Sequence, residues 1–113
     1  MADQVSILVV LDAWYRRSPA VLRAMSLAWK SSATLLLYSF EYERSLAHAA
    51  QHGFDLDAYL KGREQKLEEF AGSLRGEGFK VQTRVVWGYP IASRIIESVL
   101  AARPDFVIKD VRA

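Results

Sequence analysis

The chain contains no cysteine, only three prolines and six glycines in 113 residues. Without cysteine, disulfides and thiolate-ligated metals are excluded. No apolar run approaches the ~18 residues that a membrane-spanning helix needs. The glycines do not fall where phosphate loops place them. Gly76 and Gly78 make a G-x-G, but it follows a helical pattern and precedes a strand, whereas a dinucleotide fingerprint needs strand, glycines, then helix. They read as a helix end in the left-handed conformation. No Walker-type loop, H-E-x-x-H pattern or G-x-S-x-G turn is present. His48 and His52 are four apart and would share a helix face, yet only Asp55 or Asp57 is near enough in sequence to complete a metal site. Solvated helix residues are the better reading, and no metal is expected. Charge of one sign is also missing: 15 basic and 13 acidic residues leave a net +2. That balance gives no reason to expect a nucleic-acid partner. "MADQVSILVV" has no basic stretch ahead of its apolar run and no secretory cleavage pattern, so a cytoplasmic, non-membrane protein is the expectation.

What is present suits one core. The chain is 51% hydrophobic and 25% charged, the composition of a globular domain, and its length fits one domain over 1–113. Ser6 to Leu11 is a continuous, β-branched-rich apolar run, as in a strand covered on both faces. Ser18-Pro19 starts a helix: the serine accepts free amide hydrogens and the proline suits the first turn. Val21, Leu22, Met25, Ala28 and Trp29 then recur at helical spacing. Ala33 to Phe40 is a second apolar strand. "EYERSLAHAAQHGFD" is polar and reads as irregular or partly helical. Asp57 is the expected cap of a long amphipathic helix with Leu60, Leu67, Phe70, Ala71 and Leu74 as its stripe. Lys80 to Trp87 begins with alternation, which suits a strand near a sheet edge. Pro90 opens a third helix, with Ile91, Ile95, Ile96, Val99 and Leu100 expected to face inward. Asp105 to Val111 closes the chain as a buried strand. Strict alternation of strand and helix predicts right-handed crossovers and an α/β, three-layer sandwich with a parallel sheet.

The residues alone give a site location rather than a chemistry. Asp12 lies at the carboxyl end of the first strand, where open parallel sheets place ligand contacts. It equally suits an acid turned toward the positive end of the following helix. A phosphoacceptor receiver would need acids after the first and third strands, and the third ends in Trp87 and Gly88. No nucleophile–base–acid set is visible, so no enzyme is expected. Trp14, Tyr15, Phe40, Tyr42, Trp87 and Tyr89 all follow or end strands and are expected at one rim. Such a rim can line an apolar pocket, form the dry centre of a protein contact, or simply pack under the 41–56 segment.

"ILVVLD" followed by "SPAVLRAMSLAW", the "ATLLLYSF" strand and "RVVWGYPIASRIIESVLAARPDFVIKD" together resemble the universal stress protein family over nearly the whole chain. The nearest likeness is to the N-terminal half of the tandem E-type subgroup, where "VVW" also ends the third strand and a lysine, here Lys109, follows the fourth. The resemblance implies the adenine-nucleotide-alpha-hydrolase-like sheet in the order 3-2-1-4-5. In nucleotide-binding members an aspartate after strand one and a valine ending strand two hold the base and ribose. Asp12 matches the first, and Phe40 stands near the second as a bulkier group. The phosphates of such members lie on spaced glycines after strand four, where this chain has Lys109 and Asp110. The fifth strand and the glycine motif are absent from these 113 residues, so the domain reads as incomplete at its C-terminus. The resemblance therefore implies a stress-response module without a cofactor of its own, with ATP bound only if the glycine loop is supplied. It also implies an open fourth strand that pairs in a homodimer or with a second domain of the same family.

Overall fold

Ser6–Leu11 forms β1, the central strand, and its five apolar residues from Ile7 to Leu11 are all buried. The computed structural model describes residues 4–110. After β1 come α1 (Pro19–Ser31), β2 (Thr34–Glu41), α2 (Arg44–Ala50), α3 (Leu56–Arg75), β3 (Lys80–Trp87), α4 (Ile91–Ala102) and β4 (Phe106–Lys109). The four strands are parallel in the order β3-β2-β1-β4. Ile7 pairs with Leu35 on one side and Phe106 on the other. The order reverses direction between β1 and β4, the feature that opens a crevice at the carboxyl ends.

Successive strand residues point to opposite faces, and the two faces are covered unequally. Ile7, Val9, Leu11, Leu35 and Leu37 meet α1 and α3 through Val21, Ala24, Leu67, Ala71 and Leu74. On the other face Leu8, Val10, Leu36 and Tyr38 meet only α4, through Ile95, Val99 and Ala102. No described helix is long and apolar enough to cross a membrane.

The local signals explain most boundaries. Ser18 is extended and its Oγ accepts the Val21 N–H, with Pro19 in the first turn. Gly78, at φ +99°, closes α3: its N–H donates to the Arg75 carbonyl while the Phe79 N–H donates to that of Leu74. This is the paired-bond helix end that favours glycine. Three expectations are corrected. The cap of α3 is Asp55, whose extended backbone lets its carboxylate accept the Ala58 N–H, while Asp57 lies inside the first turn. On α4, Ile91, Ile96 and Leu100 are exposed, because the helix meets the sheet only along the flank carrying Ile95 and Val99. The closing strand is short and half exposed rather than buried, since among the described residues β4 pairs with β1 alone. Val111, read as part of that strand, lies with Arg112 and Ala113 outside the described residues.

Candidate functional site

The carboxyl ends of β1, β2 and β4 and the amino end of α1 meet at one rim. Parallel strands point there, and α1 starts there because Ser18-Pro19 turns the chain back along the sheet. Two carboxylates stand at the crevice. Asp12 folds onto its own loop: Oδ1 accepts the Trp14 N–H at 3.0 Å and Oδ2 lies 3.4 Å from Arg16 Nη2. It does not hold the start of α1, which Ser18 and Asp110 hold instead. Asp110 Oδ1 accepts the Ala20 N–H at 2.8 Å. A residue just past β4 thus places its charge on a free amide of the helix N-terminus, where the helix dipole favours an anion.

Beside the crevice lies a polar network absent from the sequence reading. Arg63 on α3 reaches across to Glu41 at the end of β2, with Nε 2.9 and 3.1 Å from the two carboxylate oxygens. Its Nη2 donates to the Ala13 carbonyl at 2.9 Å. Tyr15 donates to Ser39 Oγ at 2.8 Å and lies beneath the Arg63 guanidinium, 4.4 Å from ring centre to Cζ. Tyr59 donates to Glu41 at 3.2 Å. Burial raises the pKa of the Tyr15 hydroxyl, the Ser39 bond opposing and the Glu41 charge reinforcing that rise. For Arg63 burial is the largest single influence and works against the charge, but the Glu41 hydrogen bond together with the Tyr15, Glu41 and Tyr59 charges outweighs it and holds the guanidinium more firmly protonated. Each of these side chains finds a partner within the protein, so the network ties α3 and the β1–α1 loop to β2.

The aromatics divide among three environments. Tyr42 stacks at a tilt on both Trp87 and Tyr89, at 5.2 and 5.3 Å. Phe40 packs with Tyr38 on the α4 face, 6.2 Å apart. Tyr15 belongs to the Glu41–Arg63 network, and Trp14 is 72% exposed. All six lie at the carboxyl end as expected, but they do not form one cluster. Gly88 completes this corner. Its N–H donates to the Glu41 carbonyl, and at φ +154° a Cβ would come within 2.9 Å of the Arg94 side chain. His48 on α2 and His52 in the turn after it are exposed, with their rings tilted against each other at 4.7 Å. Among the described residues, no three acidic or histidine side chains group closely enough to hold a metal. Two grooves lie away from the rim. One, of about 370 Å³, runs between α3 and β3; the other, of about 290 Å³, lies at the opposite end of the sheet beside Trp29 and Phe79.

No family model matches the sequence, and no curated protein matches it. Solved structures do match. A universal stress protein family member from Burkholderia pseudomallei superposes with a TM-score of 0.69 at 19% identity, over 94% of this chain and 80% of that one. Protein Rv1636 from Mycobacterium tuberculosis H37Rv superposes with a TM-score of 0.55 at 16% identity, over 96% of this chain and 72% of that one. At such identities the likeness is one of fold: the chain has the fold of a universal stress protein.

Proposed function

We propose that this chain is a universal stress protein domain of the tandem E-type, serving stress response as a non-catalytic assembly or small-ligand module in the cytoplasm and not holding ATP by itself. The Asp110 carboxylate at the amino end of α1 carries this reading. A helix start at a reversal of strand order is where open α/β sheets receive anionic ligands. Here a carboxylate of the chain itself takes that amide. Lys109 and Asp110, rather than glycines, follow the apolar residues of β4. Side chains other than glycine keep backbone N–H groups from closing around a polyphosphate. A triphosphate would meet a fixed like charge at short range without that compensation. The non-catalytic reading draws support from the rim hydroxyls: Ser39 and Tyr15 bond to each other and to Glu41, whose carboxylate is already held by Arg63 and Tyr59. Any small ligand has the Tyr42–Trp87–Tyr89 group as its apolar platform.

A second reading, an ATP-binding stress sensor completed by a glycine motif, is favoured by the place of Asp12 just after β1. Equilibrium binding of labelled ATP, with and without magnesium, separates the two. The first gives a Kd weaker than about 1 mM in both conditions. Saturable micromolar binding would establish the second.

A further inference from the structure

The chain has two histidines and no cysteine, and the two histidines stand side by side. His48 lies in the last turn of α2. The helical course runs on past the end of that helix, since Gln51 keeps φ −70° and ψ −14°. The N–H groups of His52 and Phe54 both donate to the Ala49 carbonyl, at 2.9 and 3.0 Å, and Gly53 turns the chain away at φ +99°. A residue in the left-handed conformation with such a bond behind it is a usual helix stop. His52 therefore sits one turn beyond His48 on the same face, where side chains four apart meet. Both are exposed, and their ring centres are 4.7 Å apart with 55° between the ring planes.

That spacing is the one a shared metal ion needs. A divalent ion sits about 2.0 Å from an imidazole nitrogen, and so about 3.2 Å from the ring centre. Two rings at a right angle about one ion then have centres about 4.5 Å apart, and at a tetrahedral angle about 5.2 Å. The observed distance lies nearer the first. Adjacent corners of a square arrangement with nitrogen and oxygen ligands suit copper(II) and nickel(II), and copper(II) binds such donors more tightly. The end of a helix also carries a partial negative charge, which favours a cation there. The nearest carboxylate in sequence, Asp55, is engaged as the cap of α3, where it accepts the Ala58 N–H. Water then completes the coordination, so a third protein ligand is not required for a reversible site.

We propose that His48 and His52 form a chelating site for one divalent late transition-metal ion, copper(II) in preference to nickel(II). The bound ion fixes both imidazoles and so pins the end of α2 against the Gly53 turn that leads into α3. The site uses none of the residues on which the function proposed above depends, and it stands apart from that reading.

Isothermal titration calorimetry of the full chain with copper(II) and with nickel(II) chloride, at neutral pH, tests it. Copper(II) binds at one equivalent with a Kd on the order of 10 µM, and nickel(II) binds more weakly. His48→Ala and His52→Ala each weaken copper(II) binding at least about tenfold, because a chelate is lost with either ring. A variant carrying His52→Ala and Ala50→His keeps two histidines but sets them two apart, where side chains do not face each other. It binds no better than the single variants. Electron paramagnetic resonance of the copper(II) complex shows two imidazole nitrogens, falling to one in either single variant. The proposal is overturned if neither single substitution changes the Kd more than about twofold. It is overturned equally if the unsubstituted chain binds copper(II) more weakly than about 1 mM, the result expected of two rings merely in contact.

Discussion

Glu41 accepts hydrogen bonds from Arg63, Tyr59, Tyr15 and Ser39. The Arg63 and Glu41 side chains are only 16% and 14% exposed, so losing either one strands the other in a poorly hydrated place. Removing one partner of a fully buried pair costs 3–5 kcal/mol; with this residual exposure, Arg63→Met or Glu41→Gln is expected to cost about 2 kcal/mol. The urea midpoint checks this, and a loss below about 0.5 kcal/mol, the range of an ordinary surface substitution, would contradict it. Nothing in the sequence announces this pair. The two residues are 22 apart on different elements, and each reads singly as a solvated charge. Glu68 gives the pH dependence. Hydrogen bonds from Arg75 and then Thr83 hold its carboxyl down at about 2. A folded-state pKa below the unfolded value means stability present above about pH 4.5 and lost as pH falls toward 2. Both side chains are roughly half exposed, so water screens the pair and the loss stays under about 1 kcal/mol. Denaturation midpoints measured between pH 6 and pH 2.5 should fall less for Glu68→Gln than for the unsubstituted chain.

At the scale of the element, caps and stripes account for the helices. Asp55→Ala should destabilise by about 1 kcal/mol through the lost bond to the Ala58 N–H. Asp57→Ala, which removes only a favourable charge in the first turn, should cost no more than about half that. Chemical denaturation of the two variants decides it, and a larger loss at Asp57 would contradict the cap assignment. The sequence offers two aspartates two residues apart, both of a type that caps, and only the backbone shows which one is extended. For β1 and β2 the apolar runs were nearly sufficient, because a buried parallel strand admits few other readings, and for β3 the alternation of an edge strand sufficed. For α4 the apolar positions were not sufficient. Ile91, Ile95, Ile96, Val99 and Leu100 spread over about half the helix surface, and periodicity cannot say which flank the sheet covers. The polar stretch before α3 was legible only as ambiguous; seven of its residues form α2.

In the molecule as a whole, the thick α1–α3 layer and the thin α4 layer follow from four strands wound with three crossover helices. The sheet order and the crevice followed from the alternation of elements and the family likeness. What occupies the crevice did not, because the bond between Asp110 and Ala20 joins residues 90 apart. The central claim is that this chain fills its own anion position. An amide-resolved NMR titration of the full chain with ATP and magnesium tests it most directly. The account predicts that the Ala20 amide and its neighbours at the start of α1 stay in place across the titration. A saturable shift of Ala20 together with Asp12 at micromolar ATP would contradict it.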